Sequence, residues 1–215
     1  MGILKNITDE YFGENVREED IMDLTGLDVE IVSFTDCNKK IHKKGYKPKD
    51  KDNLKELLKR MIEVRGDEGD FNDIDTSDIK DMSSLFETNE YRNTKFDQLC
   101  KKFNGDITGW NVSRVKNMRA MFCGAESFNQ PIGNWYVSNV TNMSGMFNYA
   151  ESFNQPIGDW NVSSVENMSF MFYNAKSFNQ NISMWNIISV TEMDYMFSLC
   201  PIKGNHKPKM KFSAR

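Results

Sequence analysis

A period of 25 residues runs through the second half of the chain. The same residue types recur at this step in aligned columns, which include Trp110, Trp135, Trp160 and Trp185, and Asn104, Asn129, Asn154 and Asn179. A fixed period in this range, with the same apolar positions in every copy, is typical of proteins whose copies pack on one another in a row. We therefore predict that residues 71–198 form a solenoid, with the tryptophan and asparagine columns as its structural ladder.

One copy contains two kinds of local pattern. Trp135 to Val137 alternates apolar and polar residues, which predicts a short strand. Val140, Met143 and Met146 then follow at helical spacing, which predicts a short helix. A degenerate copy that begins near Asp73 aligns with the later ones. The predicted fold is therefore an α/β solenoid of about five strand-plus-short-helix repeats.

Regions outside the regular copies predict an insertion and two caps. Phe86 and Phe103 are 17 residues apart where Phe147 and Phe153 are 6 apart, so an 11-residue insertion lies around 87–102 and includes Tyr91. Residues 1–70 do not repeat, and we expect an α+β region with a strand at 30–34. This region ends in a capping helix at about 53–65, with Asp52 as its N-cap and Gly66 as its stop. Residues 199–215 form a basic C-terminal tail.

The repeat resembles that of a known family. Residues 127–147, together with the N-terminal segment from Tyr46 and the Cys200-Pro-Ile-Lys203 end, are similar to the 25-residue repeat of BspA-like bacterial surface proteins. That resemblance covers roughly residues 45–205. It implies a right-handed, leucine-rich-repeat-like coil. It also implies a role in adhesion or in binding host proteins.

Composition and motifs argue against other classes of function. The pI near 5.3 and the net charge of -4 disfavour nucleic-acid partners. No apolar run approaches the ~20 residues of a membrane span. The two histidines, His42 and His206, lie in polar segments, and neither zinc spacing nor a phosphate loop is present. We predict no enzyme activity, no metal and no cofactor.

A polar strip is the predicted binding surface. If Trp135 and Val137 point inward, the residue between them points outward, and the equivalent positions are Asp75, Asn111, Tyr136, Asn161 and Asn186. Met184 and Ile188 are apolar where other copies are polar. Either the tail covers these two residues or they belong to a partner site, and the need to cover the last copy favours the tail. Tyr91, in the insertion, completes the candidate set.

These observations predict a non-enzymatic module that binds a protein partner through the strand face and the insertion loop. The family resemblance favours adhesion or host interaction. The alternative is an intracellular effector or inhibitor that binds and blocks a specific cytosolic protein. No secretory signal is visible at the N-terminus, so the sequence as written predicts a cytoplasmic protein, with export by another route left open.

Overall fold

The structure, a computed structural model, describes residues 24–36, 41–88 and 94–209. Its first elements are two antiparallel strands, β1 (Val29–Asp36) and β2 (Ile41–Pro48), which pair from Val29 with Pro48 to Asp36 with Ile41. The predicted strand at 30–34 lies within β1. The sequence analysis did not anticipate β2, because its lysines and glycine interrupt any apolar alternation.

Helix α1 (Lys51–Arg65) follows β2 and buries one apolar stripe, made of Leu54, Leu57, Leu58, Met61 and Ile62. The helix ends at Gly66, as predicted, whereas its N-cap is Asp50 and not Asp52. The Asp50 carboxylate accepts a hydrogen bond from the Asn53 amide at 2.9 Å. α1 contacts the first copy, since Lys55 Nζ donates to the Ser84 carbonyl at 2.7 Å.

The insertion contains a second helix, α2 (Lys95–Lys102). Thr94 and Asp97 form a capping box, in which each side chain accepts from the backbone amide of the other residue. Lys95 pairs with Glu63 of α1 at 2.8 Å, and Phe96 and Leu99 pack against the core. The described part of the insertion is therefore a packed helix, where the sequence predicted a loop. Tyr91 lies outside the described residues.

The repeat region from Phe103 to Cys200 consists of successive turns and isolated parallel bridges. The structure has turns both at Trp135–Val137, where the sequence predicts a strand, and at 140–147, where it predicts a helix. Amides donate to carbonyls three residues earlier, as in Val140 to Val137 and Met146 to Met143. Consecutive three-residue turns bury apolar residues at intervals of three and four, which explains why the sequence pattern resembles a helix.

Parallel contacts between copies occur where the sequence predicts that helix. Bridges link Asp81, Asn117, Asn142, Asn167 and Glu192 in a row. Beyond each bridge, every second amide donates to a carbonyl of the following copy, as in Met118 to Asn142 at 2.9 Å and Ala120 to Ser144 at 2.8 Å. Successive copies therefore lie side by side through backbone hydrogen bonds.

Aromatic rings fill the interior of the repeat region. Phe122, Phe147 and Phe172 stack on one another at centroid distances of 5.7 and 5.6 Å. The indole of each tryptophan in the column is only 4% exposed. Trp160 and Trp185 stack at 6.4 Å, and each indole nitrogen donates to a backbone carbonyl of an earlier copy. Equivalent side chains thus meet through the core.

The C-terminal segment covers one part of the last copy. Ile202 and Pro208 are buried, and a short 3₁₀ helix spans Gly204–His206. His206 Nδ1 lies 2.9 Å from the Asn179 carbonyl and donates to it, since a carbonyl oxygen can only accept. Met184 and Ile188 nevertheless stay 86% and 68% exposed. Residues 199–209 therefore do not provide the cover that the sequence analysis favoured.

Candidate functional site

The predicted polar strip lies on the surface but is occupied mostly by turn-stabilising groups. The side-chain oxygen of Asn111 accepts from both the amide and the hydroxyl of Ser113, and Asn161 does the same for Ser163. The Asn186 side chain accepts from the Ile188 amide at 3.3 Å. Each of these asparagines therefore has a local structural role that explains its presence in every copy.

The strip begins in a cluster of opposite charges. Lys47 Nζ lies 2.8 Å from Asp78 and 3.6 Å from Asp75. The hydrogen bond and the charge of Lys47 lower the pKa of Asp78, and the same hydrogen bond raises the pKa of Lys47. Burial acts to raise the pKa of Asp75, but hydrogen bonds from Ser77 and the charge of Lys47 outweigh it, so that pKa is lowered. The charges at this end of the strip are already paired.

Tyr136 is the one aromatic residue of the strip, and its side chain is 63% exposed. It has no exposed aromatic neighbour in the same column, because Asn111 and Asn161 occupy the equivalent positions. Met184 and Ile188 are two further exposed apolar residues at the last copy. The structure thus exposes all three of these candidates without joining Tyr136 to a larger apolar surface.

The asparagine column connects the copies through its side chains. The Asn129 amide donates to Asn104 Oδ1 at 2.9 Å, and the Asn154 amide donates to Asn129 Oδ1 at 2.9 Å. The column ends where the Lys203 amide donates to Asn179 Oδ1 at 3.0 Å. These half-buried oxygens satisfy backbone amides that the turns leave unpaired.

A cluster of exposed aromatic residues lies on the surface of the bridged segments. We call it the aromatic patch, and it consists of Tyr149, Phe170, Tyr173 and Tyr195. The Phe170 ring lies 5.2 Å from Tyr195 and 5.8 Å from Tyr173, and Tyr173 lies 5.6 Å from Tyr149. The patch spans the last three copies. Exposed tyrosine and phenylalanine that touch one another are the residue types enriched at protein interfaces.

The sequence analysis missed the aromatic patch because its residues are not periodic. Phe170 and Tyr195 occupy the column of Ala120 and Gly145, so a search for identical residues at a fixed step passes over them. Phe170, Tyr195 and Tyr149 also have positive φ values of 59°, 55° and 56°, a conformation that non-glycine residues adopt rarely. The available signal was the run of aromatic residues between Phe170 and Tyr173.

Other features of the described residues offer little chemistry. A shallow groove of about 490 Å³ lies between α1 and α2, lined by charges of both signs such as Lys55, Glu56 and Lys95. Among the described residues, no three His, Cys, Asp or Glu side chains come together as a metal site would require. Within the same part of the chain, no helix has the length and apolar character to cross a membrane.

Comparison with known proteins gives one match. The family model described as "Mycoplasma protein of unknown function, DUF285" matches residues 92–207, which is more than half of the 215 residues. No curated protein and no solved structure is significantly similar to the chain. The matched range begins in the insertion and ends in the C-terminal segment, so it contains the regular copies and the aromatic patch. The chain therefore belongs to the DUF285 family of Mycoplasma proteins of unknown function.

Proposed function

We propose that the chain is a non-enzymatic module that binds a protein partner through the aromatic patch. The observation that carries this proposal is the mutual contact of four exposed or half-exposed aromatic side chains on one surface. Burying such side chains at a partner surface removes a large apolar area from water. Few charges surround the patch, since residues 108–197 hold only 4 basic and 6 acidic residues, so its desolvation costs little.

The proposal includes a leucine-rich-repeat-like right-handed solenoid over residues 71–198 as the scaffold. Its support is the recurrence of bridges, amide donors and stacked rings at the 25-residue step. A stack of copies holds exposed side chains at fixed spacing, which reduces the ordering cost of binding. The similarity of the repeat to BspA-like surface proteins supports a partner in adhesion or on a host cell. An intracellular effector or inhibitor that blocks a cytosolic protein is the second candidate.

The test compares three forms of the full chain as immobilised bait. The forms are the parent, a Phe170→Ser/Tyr173→Ser double variant, and Tyr136→Ser as the matched control at another exposed aromatic residue. We expect a protein retained by the parent to bind the double variant at least about tenfold more weakly, since removal of hot-spot aromatic residues costs about 2 kcal/mol or more. Titration of the purified partner against each form measures the change in Kd.

Two outcomes would contradict the proposed surface. Unchanged affinity of the double variant would exclude the aromatic patch. Loss of binding only with Tyr136→Ser would assign the site to the polar strip. Circular dichroism of each variant checks that the fold is retained. Immunolabelling of intact producing cells, with and without external protease, then separates the two roles: a protease-accessible chain supports adhesion, and a fully protected chain supports the intracellular alternative.

A further inference from the structure

We propose that the C-terminal end of the repeat region binds a segment of another polypeptide chain that carries the same 25-residue motif. The binding surface is a row of backbone amides, which we call the open edge: those of Met193, Tyr195, Phe197 and Leu199. It differs from the aromatic patch, although Tyr195 contributes its ring to the patch and its amide to the edge.

The hydrogen bonds between copies all have the same direction in this segment. In the fourth regular copy the amides of Met168, Phe170, Phe172 and Asn174 donate to carbonyls of the last copy, at distances of 2.8 to 2.9 Å. The preceding copies repeat this arrangement at the same columns. Each copy therefore presents amide donors to the copy that follows it and carbonyl acceptors to the copy before it.

The last copy has the same donors but nothing after it to receive them. The open-edge amides are the 25-residue equivalents of the four donors in the fourth copy, and none of them donates to any residue among those that the structure describes. The adjoining side chains are uncovered too, since Tyr195 and Leu199 are 63% and 68% exposed. Met193 and Phe197 are only partly buried, whereas their equivalents Met168 and Phe172 are fully buried.

The C-terminal segment covers a different part of this end. Its bonds reach the asparagine column and its surroundings, through Lys203 and His206 to Asn179 and through the Ile182 amide to the His206 carbonyl. Lys207 Nζ lies 5.3 Å from the centre of the Phe197 ring and marks the boundary of this cover. A ligand of the open edge therefore needs to occupy only the side from Met193 to Leu199.

A second copy of the chain does not offer the matching acceptors at its own first copy. Helix α1 lies there, with Lys55 donating to the Ser84 carbonyl at 2.7 Å and Lys51 donating to Ser83 Oγ at 3.1 Å. Leu85 and Phe86 beneath it are fully buried. Two open edges cannot pair with each other either, because both present only donors. These facts favour a different polypeptide as the occupant.

The direction of the donors also selects the conformation of the occupant. An ordinary β-strand presents both amides and carbonyls along one edge, so half of its groups would face donors and remain unpaired. A segment of the repeat motif presents carbonyls alone on that side, as residues 167–173 do toward the third copy. Its methionines and phenylalanine would cover Met193 and Phe197, as Met193 and Phe197 themselves cover Met168 and Phe172 in the stack.

The test uses the full chain, labelled with ¹⁵N, and a synthetic peptide with the sequence of residues 163–176. In the free protein we expect the open-edge amides to exchange rapidly with solvent, while the amides of Met168 and Phe172 are protected. Added peptide should protect the four open-edge amides. A control peptide has an ester in place of the amide between Ser169 and Phe170, which weakens one carbonyl acceptor and changes no side chain. It should bind about threefold to tenfold more weakly.

Four results would overturn the proposal: no saturable binding up to about 1 mM peptide, equal affinity for the two peptides, protection at other residues, or open-edge amides already protected in the free chain. The last result would show that the chain itself or a second copy occupies the edge, and its dependence on protein concentration would identify which. The Phe170→Ser/Tyr173→Ser variant should still bind the peptide. Failure of the aromatic patch and failure of the open edge are therefore separate results.

Discussion

At the scale of single residues, side-chain amides replace backbone ladders in holding the copies together. Asn129 Oδ1 accepts from the Asn154 amide, 25 residues later, and the next asparagine repeats the contact. A half-buried amide with no acceptor costs about 1–3 kcal/mol, so each member of the column contributes to the stability of two copies at once. Asparagine suits this position because one short side chain carries a strong acceptor in a fixed place.

We expect Asn129→Ala to lower the free energy of unfolding by about 1–2 kcal/mol, because it leaves the Asn154 amide without its acceptor. Asn161→Ala is the matched control, since its oxygen serves only the exposed turn at Ser163. That substitution should change the free energy of unfolding by less than about 0.5 kcal/mol. Urea-induced unfolding of the two variants measures both values. Equal destabilisation would show that the column has no special role.

Single residues were predictable from sequence where they are periodic. The tryptophan and asparagine columns could be read directly, because packing of equivalent residues demands identity at a fixed step. Phe170 and Tyr195 could not, because an exposed residue is free to vary from copy to copy. The exposure of Met184 also escaped prediction, since covering it depends on the course of the C-terminal segment, which the repeat does not determine.

At the scale of elements, local capping chemistry decides where α1 begins. Asp50 accepts from the Asn53 backbone amide and from its side chain, both at 2.9 Å. These hydrogen bonds lower the pKa of Asp50, the backbone bond being the larger cause. Sequence alone favoured Asp52, which also precedes an apolar periodic run, and an error of two residues is usual at helix ends.

Asp50→Ala should therefore destabilise the protein by about 0.5–2 kcal/mol through loss of the N-cap. Asp52→Ala should cost much less, because Asp52 contributes only the weak interaction of a first-turn acidic residue with the helix dipole. Thermal unfolding at neutral pH, with both variants at equal concentration, provides the comparison. A larger loss with Asp52→Ala would restore the N-cap that the sequence predicts.

The repeat unit shows what a sequence pattern leaves undetermined. Apolar residues three and four apart fit a helix, but they fit a series of three-residue turns equally well, as Val137, Val140, Met143 and Met146 do here. The choice between the two depends on hydrogen bonds to residues 24 to 26 positions away. A window of a few residues contains no information about such partners, whereas α1 is determined by its own residues and was predicted.

At the scale of the whole molecule, the structure has one covered end and one uncovered end. Helix α1 covers the first copy with its apolar stripe and with Lys55. At the other end, the described part of the C-terminal segment covers the asparagine column and leaves the open edge and Leu199 exposed. Terminal copies of a repeat protein normally need atypical cover, so the uncovered end is the natural place for a further contact.

The central claim is that successive copies lie side by side through backbone hydrogen bonds between residues 24 positions apart. Scalar couplings across hydrogen bonds, measured by NMR on the deuterated full chain, detect each donor and acceptor pair directly. We predict couplings from the amide nitrogens of Met118, Met143 and Met168 to the carbonyl carbons of Asn142, Asn167 and Glu192. Couplings from these amides only to carbonyls three or four residues earlier would contradict the account.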